Sequence, residues 1–268
     1  HAFIQVMDGI RRTATYHTFP ASDFHPCKGK FEIALGDNLF TDSTLKLDLP
    51  GASGRLTFTV QTPWPNPWYS PGIMGPYTFV PFMECYHGIL SMDHIINGEL
   101  TIQGKTIDFT NGRGYMEKDW GQSFPSAYFW MQTNHFSVPG ISLKASVANI
   151  PWLGSSFTGF IAGIWLHDRL IQFTTYNGTR LLRSFADSRH VQLVMDNKNY
   201  RLEILAHREA VTQLASPISG FMTGRIEESM TSRIEVCLID KKTNTIILKD
   251  TGRNAGLEVA GEIKEITI

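Results

Sequence analysis

Residues 111–124 read N-G-R-G-Y-M-E-K-D-W-G-Q-S-F, and this run gathers the side chains best able to do chemistry. Glu117, Asp119, Lys118, Arg113 and Trp120 lie close together in a segment that otherwise reads as a strand. Strand side chains alternate, so Tyr115, Glu117 and Asp119 face one way and Met116, Lys118 and Trp120 the other. Two carboxylates two residues apart on one face sit about 7 Å from each other. In apolar surroundings their repulsion pushes one carboxyl towards its neutral form near pH 7, which makes it a proton donor. The competing reading is structural: Lys118 and Arg113 neutralise the two acids and the knot merely ties strands together. Residue types alone leave both open.

The rest of the chain bounds the chemistry. It has 268 residues, 42% hydrophobic and 18% charged, as an ordinary globular protein does. A net charge of −1 gives no electrostatic footprint for nucleic acid, and membrane contact is expected to be peripheral at most. Cys27, Cys85 and Cys237 are scattered, which argues against a disulfide framework and fits a reducing, cytoplasmic compartment. No apolar run reaches the roughly 18 residues of a spanning helix. The sequence lacks G-x-G-x-x-G, G-x-x-x-x-G-K-[ST] and G-x-S-x-G, so a nucleotide cofactor or a serine nucleophile has no support. His87 and His94, seven apart, fall on opposite strand faces, and no zinc-type spacing occurs, so no metal is expected.

The elements that must position these residues are short strands. Residues 2–7, 13–19, 30–35, 44–49 and 55–61 alternate or are β-rich, with Asp8-Gly9 and Pro50-Gly51 as breakers. Residues 62–81 differ: six prolines bar ladder hydrogen bonds, while Trp64, Trp68, Tyr69 and Tyr77 supply apolar surface. That loop either plugs its own domain or lines a ligand entrance. Residues 82–90 return to a strand, with Glu84 and Tyr86 on one face and Cys85 and His87 on the other. Strands 91–96 and 99–102 are expected to join in a hairpin at Asn97-Gly98, and Gly112 with Gly114 suggests a bulge. After Phe124-Pro125 the pattern restarts, giving about as many strands again. Residues 181–187 read as a turn of helix at most. On the strand at 128–136, Trp130, Gln132 and Asn134 share a face, mixing a ring with two amides as an apolar ligand cavity would. The class is all-β, sandwich or barrel.

The stretch G-R-G-Y-M-E-K-D-W-G-Q-S-F-P, followed by F-W-M-Q-T-N-H-F, resembles the signature of the tocopherol cyclase-like family. H-A-F-I-Q-V-M-D-G, P-G-I-M-G-P-Y-T-F-V-P-F-M-E-C-Y-H-G, S-F-T-G-F-I-A-G and A-G-L-E-V agree similarly. The resemblance implies two tandem lipocalin-like β-barrels, residues 1–125 and 126–268, the first lacking a strand that relatives carry upstream. It also implies closure of a chromanol ring by adding a phenolic oxygen across a prenyl double bond. That reaction needs a strong acid, a dry pocket and aromatic faces for a tertiary cation, with no redox cofactor or metal. On this reading Asp119, beside Glu117, donates the proton, and Glu84 is the reserve. Trp120, Trp130, Tyr115, Tyr86, His87, Lys118, Gln132 and Asn134 line the substrate site, and the partner is a lipophilic small molecule. A non-catalytic binder of such a molecule, and an isoprenoid hydratase, are the alternatives.

Overall fold

The computed structural model describes residues 1–218 and 221–268. Strands account for 65% of the chain. They are β1 (Ala2–Asp8), β2 (Thr13–Phe19), β3 (Phe24–Pro26), β4 (Glu32–Leu35), β5 (Asn38–Thr41), β6 (Thr44–Leu49), β7 (Ala52–Thr59), β8 (Cys85–Ile102), β9 (Lys105–Asp108) and β10 (Gly112–Gly121). There follow β11 (Ala127–Thr133), β12 (Ser142–Trp152), β13 (Ser155–Leu166), β14 (Arg169–Thr174), β15 (Arg180–Ala186), β16 (His190–Asp196), β17 (Tyr200–His207), β18 (Thr212–Ile218), β19 (Phe221–Asp240) and β20 (Thr245–Gly261). The chain forms two compact units. The first holds His1–Asp8, Thr13–Pro63 and Leu90–Met116; the second holds Gly9–Arg12, Trp64–Ile89 and Glu117–Ile268. The proline-rich stretch and the charged end of β10 therefore belong to the second unit.

In the first unit β1 pairs with β2, and β3 to β7 form an antiparallel run. Alternation sets its core: Leu47 and Leu49 of β6 and Ala52 and Leu56 of β7 are buried with Ile4, Leu35 and Leu100, while Lys46, Asp48 and Arg55 face water. The hairpin expected at Asn97-Gly98 is absent, because β8 runs unbroken through it opposite β7. Gly98 has φ 117, and a Cβ there would lie 2.3 Å from the Arg55 carbonyl oxygen. The glycine serves a close approach of two backbones rather than a turn.

Gly114 is explained in the same way. A Cβ on it would stand 2.1 Å from Nε2 of His94, whose ring is 3% exposed and also meets Phe58 at 4.7 Å between centroids. Burial lowers the His94 pKa to about 4, and its Nδ1 is buried with no hydrogen-bond partner among the described residues. Beside it Arg113 donates from Nε to Asp93 Oδ1 at 2.8 Å and makes a second bond to Oδ2. Arg113 is thus engaged by Asp93, which revises the expectation that it neutralises Glu117 or Asp119.

The larger sheet of the second unit runs β14-β13-β12-β11-β20-β19-β17-β16-β15, with β18 on β19, all antiparallel. One face packs a core around Phe129, Met131, Leu143, Ala145, Ile164, Phe173, Leu193, Leu202, Ile234 and Leu257. Residues 181–187, read as a turn of helix at most, fall instead largely on β15 (Arg180–Ala186), because pairing with β16 satisfies their backbone while a bulge at Leu181/Arg183 absorbs the irregular pattern. The two end strands, β14 and β15, are joined by residues 175–179 but do not pair. Neither large sheet closes on itself, so the fold is all-β in open antiparallel sheets and the expected closed barrels are not formed.

Two outcomes follow for the first unit. Gly114→Ala forces a methyl against the His94 ring and is expected to lower stability by about 1–3 kcal/mol in denaturant titrations. His94 is held neutral in the fold, so the unfolded chain binds more protons as pH falls below 6.5. Stability is then lost on acidification, by on the order of 3 kcal/mol once pH passes about 4, and His94→Gln flattens that part of the profile.

Candidate functional site

Tyr128 and Trp130 leave β11 on the face opposite Phe129 and Met131, and register extends that face across neighbouring strands. Trp130 lies opposite Ser146 of β12 on one side and Glu258 of β20 on the other. Ser146 faces Ile161 of β13, and Glu258 faces Glu228 of β19. One transverse row thus reads Glu228, Glu258, Trp130, Ser146, Ile161. Lys144, one step along β12, shares the face and has no exposed surface.

The second unit covers this face with its own proline-rich segment. The Trp64 ring fills the space above Gly163, where a Cβ would come within 2.4 Å of it. Met74, Tyr77 and Met83 line a cavity, and Tyr176 donates its hydroxyl to the Ile73 carbonyl at 2.7 Å. Trp68 and Tyr69 of the same segment remain exposed. The segment is therefore both plug and wall. The cavity encloses about 150 Å³. Phe124, Tyr128, Ile150, Phe157, Ile161 and Tyr176 make it largely apolar, and its ionisable groups are Cys85, His87, Glu117, Asp119, Lys144 and Glu258.

Cys85 and His87 of β8 face Glu117 and Asp119 of β10. The alternation expected for Glu117 and Asp119 places both against one imidazole. His87 Nδ1 hydrogen-bonds Asp119 Oδ1, while Nε2 stands 3.4 Å from Glu117 Oε2, buried and without a hydrogen bond. The Trp130 indole N–H donates to Glu117 Oε2 at 3.3 Å. Asp119 thus fixes the ring and its tautomer, leaving Nε2 to the cavity. His87, Glu117 and Asp119 each offer a ligand atom within 4.8 Å of the others. In this structure Asp119 Oδ1 is committed to His87 Nδ1, and the nearby Lys144 ammonium adds positive charge to the set.

Burial lowers the Lys144 pKa to about 8, opposed by the charges of Glu117, Asp119, Cys85 and Glu258; the ammonium bonds Ser146 Oγ. Burial also raises Glu258 and its register partner Glu228, each further raised by neighbouring carboxylates. Tyr128 donates its hydroxyl to Glu258 Oε2 at 2.8 Å, and burial with that carboxylate pushes the phenol pKa up. Burial pushes the Cys85 thiol up to about 12, so it is no nucleophile at neutral pH.

Of the residues singled out by sequence, Asp119, Glu117, His87 and Trp130 line the cavity. Tyr86, Lys118 and Trp120 lie on the other face of β8 and β10: Tyr86 stacks on Trp120 at 5.4 Å, and Lys118 sits 5.0 Å from that ring. Glu84 is exposed and takes no part in the cavity wall, although its backbone carbonyl accepts from Gln122. Gln132 and Asn134 are buried beyond the cavity wall, and Tyr115 belongs to the first unit. Sequence reasoning missed Lys144, Glu228 and Tyr128, and quoted Glu258 only within A-G-L-E-V. A lysine inside the apolar strand S-L-K-A-S-V was the available signal.

The chain resembles several known proteins. The chain is 26% identical over 191 residues to the probable chloroplastic tocopherol cyclase of Oryza sativa subsp. japonica, and 26% over 193 residues to the chloroplastic tocopherol cyclase of Zea mays. Each match covers 68% of this chain but 40% of the plant protein, so the chain spans well under half of those relatives. Among solved structures, CghA with Sch210972 superposes with a TM-score of 0.53 at 10% identity, over 88% of this chain and 72% of that one, a likeness of fold alone. Residues 55–261 match the tocopherol cyclase-like family, which takes in both Glu117 and Asp119 and the strands around the cavity. The chain belongs to the tocopherol cyclase-like family.

Proposed function

We propose that the second unit is an acid–base cyclase that closes a chromanol ring from a prenylated quinol. The observation that supports it most is an apolar, aromatic-walled cavity ending in an imidazole whose far nitrogen is fixed by a carboxylate. Ring closure needs a proton given to the prenyl double bond and another taken from the phenol, with water kept from the tertiary cation between. His87 Nε2, buried and without a hydrogen bond among the described residues, accepts the phenolic proton in this reading, and Asp119 holds the ring through Nδ1. The indole face of Trp130 and the ring of Tyr128 stand ready for the cation. A volume of about 150 Å³ suits the reacting ring and the double bond next to it rather than a whole long tail.

Asp119→Asn keeps the shape at that position but replaces the carboxylate that holds His87 with a neutral amide. It is expected to cut ring closure by about 10²–10⁴-fold while leaving the melting temperature and the affinity for the quinol nearly unchanged. Early unfolding, or normal turnover, would make Asp119 a structural residue. Prenylated and unprenylated quinols titrated against tryptophan fluorescence check the pocket: the prenylated ligand is expected to bind at least tenfold more tightly. Tight binding without conversion by the unaltered protein would mark a carrier instead, and a hydrated, unclosed product would mark a hydratase.

A further inference from the structure

We propose that Glu258 is the catalytic acid of this site, donating to the double bond a proton that it shares with Glu228. This rests on the cyclase reading and departs from the sequence expectation that Asp119 is the donor. The two glutamates are register partners on adjacent strands, so their side chains leave one face of the sheet side by side. Two carboxyls paired in register and withdrawn from water repel each other when both are charged, which favours one proton held between them. Glu258 is the member that opens onto the cavity, and its Oε2 accepts from the Tyr128 hydroxyl, which sets the direction of the remaining oxygen. Trp130, its register partner on the other side, donates its indole N–H to Glu117. The acid thus lies beside an aromatic ring.

The surroundings keep the acid loaded. Burial raises both carboxyls: Glu228 to about 8, helped by the charges of Glu258 and Glu117, and Glu258 to about 7, helped by Glu117 and Asp119 and opposed by the Tyr128 hydrogen bond and Lys144. Asp119, by contrast, has its oxygen committed to His87. In the step itself the O–H bond of Glu258 breaks and the π pair of the double bond forms the new C–H bond. The tertiary carbon left positive is taken by a lone pair of the phenolic oxygen, and the phenolic proton passes to His87 Nε2. Return of that proton to the carboxyl pair restores both groups, so the overall change is an isomerisation and no oxidant or reductant enters.

Three proteins test this: the unaltered chain, Glu258→Gln and Glu228→Gln, each given a prenylated quinol in D₂O. The unaltered chain is expected to close the ring with one deuterium at the former alkene carbon. Glu258→Gln can still accept from Tyr128, so it is expected to bind the quinol within about threefold and melt no lower, yet lose turnover by about 10²–10⁴-fold. Glu228→Gln removes the register-paired carboxyl with which Glu258 is proposed to share its proton. Its rate is expected to fall at a pH at least one unit lower than in the unaltered chain, a shift that a merely structural role would not produce. Turnover by Glu258→Gln within tenfold of the unaltered chain overturns the assignment while leaving the cyclase reading intact. An unshifted profile for Glu228→Gln overturns the shared proton. If the unaltered chain binds the quinol and releases it unchanged, the cyclase reading fails and the assignment with it, an outcome told apart because all three proteins then behave alike.

Discussion

Lys144 has no exposed surface, and an ammonium withdrawn from water is tolerated only where opposite charge surrounds it. Glu117, Asp119 and Glu258 supply that charge, and Ser146 takes a hydrogen bond. The acids in turn are too many for one lysine. Burial pushes Glu228 and Glu258 towards their neutral forms, and His87 lies between Asp119 and Glu117.

The fold makes such a group possible by giving the sheet two different faces. Odd-numbered residues of β11, Phe129 and Met131, build a core with no room for charge, while on the even face Trp130 meets the polar register partners Ser146 and Glu258. Glycines at 163 and 256 thin that face where the rings of Trp64 and Trp130 must lie flat on it. A methyl at 163 would stand 2.4 Å from the Trp64 ring, and one at 256 would stand 2.7 Å from that of Trp130. Cavity shape is therefore set by absent side chains as much as by the aromatic walls.

This arrangement suits acid–base chemistry in an apolar cavity. Carboxyls raised by burial and an imidazole held through Nδ1 are environments that push titratable groups to opposite tasks. Trp130, paired with Glu258 and donating to Glu117, offers an aromatic face where positive charge would develop. The apolar walls contributed by Tyr77, Phe157 and Tyr176 keep that charge from water and strengthen each electrostatic contact.

Alternation and turn chemistry made much of this legible in the residues themselves. The all-β class, the bounds of β2 and β6, the strandless proline-rich segment and the common direction of Glu117 and Asp119 depend on nearest neighbours along one chain. Non-local pairing was not legible. Asn97-Gly98 has the composition of a turn, yet β7 holds it in a ladder. Tyr86, Lys118 and Trp120 carry useful chemistry, yet strand phase turns them away from the cavity. Asp119 looked like half of a bare acid pair until β8 laid His87 against it. The sequence by itself determined which residues share a strand face, because side-chain period is a local property of the backbone. Only the tertiary structure decided that Glu228, Glu258 and Lys144 meet near Glu117, because register between strands distant in the chain is chosen by the burial of whole faces.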